Sequence, residues 1–202
     1  MPATTGTRRA GRRPVTSRDE IEHIALELFS ARGFDSTTVD DVAQAAGIGR
    51  RTFFRYYASK NDVPWGAFDE MLDRMRARFA ALPPDVSVMA GIRETVLDFN
   101  DIPVEEQPWH RQRLRLILET PALQAHSALR YAEWRRVVAD YAGARLGQEP
   151  TALLPRTLGH LCLGAALAAY EQWLAAEDAE LRDLLDEVLA ALETGFAQIR
   201  VG

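Results

Sequence analysis

Cysteine and lysine each occur once among the 202 residues, at Cys162 and Lys60. A lone cysteine cannot build an intrachain disulfide framework, and it fits the reducing cytoplasm. No apolar run approaches the ~20 residues that span a bilayer, so no membrane partner is expected. The basic N-terminus is followed by no apolar stretch and does not read as a secretory signal. Catalytic signatures are missing as well: there is no HExxH, no phosphate-cradling glycine loop and no CxxC pair. Cys162 and His160 lie two residues apart on an expected helix, where side chains diverge, so they form no nucleophile–base dyad. The sequence therefore offers no catalytic residue, no metal site and no cofactor site. Strand-period alternation and internal repeats are absent too, which leaves an all-α protein.

What is present is ordinary in bulk and uneven in distribution. Hydrophobic residues make up 47% and charged residues 26% of the chain, enough for a sizeable core in a chain of this length. The net charge is −5, yet residues 1–60 hold ten basic and seven acidic residues, a local balance of +3. The remaining 14 basic and 22 acidic residues give −8. A cationic head on an anionic body suits a protein that touches nucleic acid with one end.

The head carries the sharpest pattern. From Thr38, the residues Val39, Val42, Ala43 and Ala46 mark one face of a short helix. Thr38 is placed to cap it, with Asp41 three positions on. Gly47 can adopt the left-handed conformation that ends a helix, and Gly49 can cap the next one. That second helix presents Arg50, Arg51, Thr52, Arg55 and Tyr56, while Phe53 and Tyr57 lie four apart and can point inward. A short donor-bearing helix braced across a tight turn is a helix-turn-helix, built to enter a major groove. Lys60 follows Ser59 at the expected start of a long helix, a position suited to a phosphate.

These residues resemble the TetR family of bacterial regulators. The resemblance runs from about Ile21 to Ala67 and rests on Thr38, Ala45-Ala46-Gly47, Thr52, Phe53-Phe54-Arg55-Tyr56-Tyr57 and Ser59-Lys60. The chain departs from the family pattern at Gly49, usually serine, and at Tyr56, commonly histidine. It implies a three-helix DNA-binding domain over residues 17–63, preceded by a basic arm over 1–16 expected to be disordered. A helical ligand-binding and dimerisation domain would fill 64–202. Implied partners are a palindromic double-stranded DNA operator, a second copy of the chain and a small-molecule inducer. Implied DNA contacts are Thr38, Arg50, Arg51, Thr52, Phe54, Arg55, Tyr56 and Lys60. Repression is the family's usual behaviour.

Helical periodicity continues through the body. Ser17 and Glu20 form a capping box for a first helix ending at Gly33. One helix is expected from Lys60 to about Leu82, stopped by Pro83-Pro84. Others are expected over 86–100, 105–119 and 121–146, the last opened by Thr120-Pro121. A final pair spans about 151–176 and 178–200. Gly164 and Ala168 are small enough for close helix approach, and Leu185, Val188, Leu192 and Phe196 belong to an apolar stripe broader than one intrachain contact needs. These six residues are the expected dimer face.

In the middle helices, Trp109 and Arg113 share one apolar face, and Arg130 and Trp134 share another. Arginine is rarely buried unpaired, so Arg113 and Arg130 should meet either an internal carboxylate such as Glu119 or Glu171, or the anionic group of a ligand. The four residues together form the expected ligand site. A head-to-body helix starting at Lys60 would let a ligand there tilt the DNA head.

A second resemblance covers the chain from Gly11 to about Phe196. Gly49-Arg50-Arg51-Thr52-Phe53-Phe54, Glu106-Gln107-Pro108-Trp109-His110, Pro121-Ala122-Leu123-Gln124 and Tyr170-Glu171-Gln172-Trp173 are similar to the TetR subgroup associated with mycofactocin gene clusters of actinobacteria. That resemblance implies control of mycofactocin genes and an amphiphilic inducer of the long-chain acyl-CoA class. The alternative is a helical acyl- or CoA-binding protein whose DNA role is secondary. It leaves the arginine-rich head without a purpose.

Overall fold

The computed structural model describes residues 17–195; the arm over 1–16 and Phe196 lie outside the described residues. Among the described residues there is helix and no strand. The chain forms two compact units, one ending at Gly66 and the other beginning at Ala67.

In the first unit, α1 spans Arg18–Arg32, α2 Val39–Ala45 and α3 Arg50–Tyr56, followed by a 3-10 turn over Lys60–Trp65. Sequence dictates each boundary. Ser17 and Glu20 close a reciprocal capping box on α1, and Thr38 and Asp41 close a second on α2. Gly47 adopts φ 69°, and Ile48 N–H donates to the Ala43 carbonyl at 2.9 Å, which turns the chain into α3. Ile21, Leu26, Phe29, Val42, Phe53 and Val63 are fully buried, each worth ~1.5–3 kcal/mol of burial. Phe53 and Tyr57 are the inward pair of α3, with ring centroids 5.5 Å apart.

The second unit comprises α4 (Phe68–Ala81), α5 (Val88–Phe99), α6 (Gln107–Glu119), α7 (Pro121–Leu146), α8 (Leu153–Ala175) and α9 (Leu181–Glu193). A short 3-10 turn, Val104–Glu106, precedes α6. The Thr120-Pro121 start places Pro121 in the first turn of α7, where its missing N–H costs nothing. Stacking of Phe79 on Tyr141 (centroids 4.1 Å) joins α4 to α7. A bidentate ion pair from Arg93 to Asp186 (2.7 and 2.8 Å) ties α5 to α9. No helix among the described residues is long and apolar enough to cross a membrane.

The continuous helix expected from Lys60 to Leu82 is not formed. Pro64, which has no N–H to donate, sits in the 3-10 turn, and Gly66 ends that turn at φ 46°. The positive φ is what favours glycine there; a Cβ would also press on the Glu22 carboxylate, the movable end of a side chain. The α-helix begins afresh at Phe68.

Candidate nucleic-acid interface and ligand chamber

The free face of the first unit is built by α3. Arg50, Arg51, Phe54 and Arg55 are exposed, and Thr52 and Tyr56 are half-buried. Arg50 forms a 2.7 Å ion pair with Asp40 at the start of α2 and lies over the Phe54 ring at 5.4 Å. Phe54, 44% exposed, is thereby a platform for a guanidinium rather than part of the core. Arg55 lies 5.1 Å over the Tyr56 ring. Arg51 has no partner among the described residues. Thr38 is exposed, and its hydroxyl accepts the Asp41 N–H at 3.1 Å. That hydroxyl and the Thr38 N–H bond the Asp41 carboxyl in return and hold it below the ordinary carboxylate range. Thr38, Arg50, Arg51, Thr52, Phe54, Arg55 and Tyr56 thus lie on α2 and α3 or at their caps.

Lys60 departs from the expected phosphate role. Its ammonium is turned inward, donating to the carbonyls of Phe34 (2.8 Å) and Thr37 (2.9 Å) and lying 4.4 Å over the Phe34 ring. Two of its three protons are spent on the turn between α1 and α2. The reason is geometric: the 3-10 turn begins at Lys60, and that turn packs against α1 rather than extending a long helix.

In the second unit, the four expected ligand residues sit in different surroundings. Trp134 is buried and Trp109 half-buried. Arg130 does meet carboxylates, but those of Asp69 (2.9 Å) and Glu133 (3.5 Å) rather than the Glu119 or Glu171 named as examples. Glu119 lies 3.9 Å from Arg115. Asp69 belongs to α4, which periodicity within α7 could not bring into view. Arg113 approaches His110 Nδ1 at 3.4 Å. Clefts of about 640, 360, 380 and 460 Å³ open in this unit, and none of the four is lined by Trp109, Arg113, Arg130 or Trp134.

A buried polar set emerges instead. The Tyr170 hydroxyl donates to Asn100 Oδ1 at 2.6 Å, and Asn100 Nδ2 donates to the Val96 carbonyl at 2.9 Å. Ser127 donates to the Leu123 carbonyl at 2.7 Å and also hydrogen-bonds Tyr131. His110 Nε2 and Thr95 Oγ1 are buried without a protein partner. Burial, reinforced by the Arg113 charge, pushes the His110 imidazole down to about 3. Burial likewise pushes the Cys162 thiol up to about 12, which makes it an inert core residue. Of this set, Ser127 falls on the helix face shared by Arg130 and Trp134, and His110 and Tyr170 fall in the stretches that carry the second resemblance. The available signal was a Thr, an Asn and a Ser on otherwise apolar helix faces.

The expected dimer face divides in two. Leu185 is 0% exposed and belongs to the core of the chain. It lies on the side of α9 that packs on its own neighbours, so it is a core residue and not part of an intermolecular face. Gly164 and Ala168 are exposed, a Cβ at Gly164 would meet nothing within 4 Å, and Leu161 beside them is 49% exposed. Val188 and Leu192 are half-buried.

An arginine-headed short helix braced by a capped partner across a glycine turn, with a helical body following it, defines a helix-turn-helix DNA-binding regulator. Residues 23–63 match the profile of bacterial regulatory proteins of the tetR family, and residues 86–197 match the MftR C-terminal domain. A Mycobacterium tuberculosis protein named as a candidate mycofactocin biosynthesis transcriptional regulator, MftR, is 41% identical over 95% of this chain and 96% of its own. Among solved structures, FadR of Bacillus subtilis in complex with stearoyl-CoA superposes with a TM-score of 0.62 at 16% identity, covering 89% of this chain and 99% of that one. FadR of Thermus thermophilus, a TetR-family repressor in complex with lauroyl-CoA, gives 0.56 at 20% identity over 92% and 97%. The chain belongs to the TetR family of transcriptional regulators, and its relatives are regulators rather than enzymes.

Proposed function

We propose that the protein is a ligand-responsive repressor that binds a palindromic operator as a homodimer in the cytoplasm and controls mycofactocin genes. The observation that carries this reading is the exposed Arg50, Arg51 and Arg55, with half-buried Thr52 beside them, on a helix anchored from behind by buried Phe53 and Tyr57. Arginines near a recognition-helix N-terminus can bond guanine O6 and N7 in pairs, worth ~1–3 kcal/mol of discrimination each. Arg55, Tyr56, Phe54 and Thr38 are assigned to backbone positioning. Two copies reach successive major grooves ~34–36 Å apart, which is why a palindrome is the expected target. Leu161, Gly164, Ala168, Val188 and Leu192 supply the twofold contact.

The inducer is assigned to the long-chain acyl-CoA class. Support comes from unpartnered buried polar atoms of the body, Thr95 Oγ1 and His110 Nε2 among them. Leaving such a group without a partner costs ~1–3 kcal/mol, which a bound ligand would relieve. The acyl-CoA complexes of the two FadR proteins point the same way. The mycofactocin assignment rests on the similarity to the M. tuberculosis protein. A gel shift with DNA from upstream of this gene, with and without oleoyl-CoA, tests the reading. Retardation that is sequence-selective and reversed by the thioester is expected. No selective retardation refutes operator binding, and retardation insensitive to the thioester refutes the ligand class.

A further inference from the structure

A groove lined by α7, α8 and the residues between them concentrates positive charge on an otherwise anionic body. Its volume is about 640 Å³, and its lining includes Arg135 and Arg136 of α7 with Arg156 and His160 of α8. Asp140 is its single acid. Residues 61–202 carry 14 basic and 22 acidic residues, so three arginines against one carboxylate reverse the local trend.

Several other arginines of this unit are neutralised: Arg76 by Asp73, Arg78 by Glu94 and Asp98, Arg93 by Asp186, and Arg130 by Asp69. The side chains of Arg135, Arg136 and Arg156 have no ion pair or hydrogen-bond partner among the described residues. The two helices also fix their positions. At Gly159 a Cβ would stand 2.7 Å from the Arg135 carbonyl oxygen, so α7 and α8 are in close contact beside the groove. Three guanidinium groups held near one another repel, and an arrangement of that kind gains most from a multivalent anion that bonds them in pairs.

The volume says more. About 640 Å³ exceeds what a lone phosphate fills and lies within the ~300–1,000 Å³ of small-molecule sites. Ala132, Ala139 and Pro150 give the groove apolar wall beside the arginines. We infer that this groove is a binding site for a nucleoside diphosphate, with the diphosphate among Arg135, Arg136 and Arg156 and the base against the apolar wall. None of the groove's lining residues belongs to the buried polar set assigned to the inducer.

Calorimetric titration of the full-length protein with ADP, and separately with inorganic pyrophosphate, tests it. ADP is expected to bind saturably and more tightly than pyrophosphate. Arg156→Ala should weaken ADP at least 10-fold, and Arg135→Ala with Arg156→Ala should abolish it. Arg115→Ala, which removes an exposed arginine outside the groove, should leave binding unchanged. Unchanged thermal melting and operator binding of the variants would show that the fold survives. No saturable ADP binding, or equal losses in Arg115→Ala and Arg156→Ala, overturns the site. Pyrophosphate binding as tight as ADP overturns the nucleoside.

Discussion

Replacing Lys60 by methionine distinguishes two roles for the chain's only lysine, because methionine keeps an unbranched apolar stem and deletes the ammonium. The ammonium donates to two carbonyls, at 2.8 and 2.9 Å, and lies 4.4 Å over Phe34. Hydrogen bonds to a charged group contribute ~1.5–3 kcal/mol each when buried, and a cation over an aromatic face adds ~0.5–1 kcal/mol at exposed sites. Lys60 is only half-buried, and its desolvation offsets part of the gain, so a loss of about 2–3 kcal/mol is expected. The loss should appear as a lower midpoint in denaturant, with DNA binding weakened only where the head is partly unfolded. Below that midpoint, the slope of log affinity against log salt should match the wild type. A slope reduced by about 0.9, the signature of one lost phosphate contact, with stability within about 0.5 kcal/mol of wild type, would refute the inward role and restore the phosphate contact.

Two further predictions concern the body. The folded-state pKa of His110 is depressed to about 3 against an ordinary ~6.5, so below pH 6.5 the unfolded chain binds a proton that the folded chain refuses. Stability should therefore fall by about 2 kcal/mol between pH 7 and pH 5 through this group alone, and His110→Gln should flatten that portion of the curve. An unchanged pH dependence in His110→Gln would show that carboxylates account for all of it. Leu185→Ala should cost about 2–5 kcal/mol of chain stability, as a cavity in a closed core does. Val188→Ala should instead raise the dimer dissociation constant with little change in melting. Sedimentation and calorimetry together separate the two, and a reversed pattern would contradict the assignment of these residues to inner and outer faces.

Local signals made the head legible. The capping pairs Ser17/Glu20 and Thr38/Asp41, the turn at Gly47 and the i, i+4 pair Phe53/Tyr57 all formed as the spacing implied. These features need only neighbours within a few residues. Lys60 was misplaced because its partners, Phe34 and Thr37, lie more than 20 residues away in the chain. The break at Pro64 and Gly66 leaves little trace in the pattern, because a proline near a helix start is ordinarily tolerated. The pairing of Arg130 with Asp69 and the core position of Leu185 are tertiary facts. Periodicity finds an apolar face but does not say which helix covers it.

Base reading by α3 depends on Arg50 and Arg51. Its most direct measurement is fluorescence anisotropy of wild type, Arg50→Ala and Arg51→Ala on upstream operator DNA and on a scrambled duplex at one salt concentration. At least one variant is predicted to lose ~1–3 kcal/mol more on operator than on scrambled DNA. Equal losses on both duplexes for both variants would contradict base reading and leave these arginines as phosphate contacts.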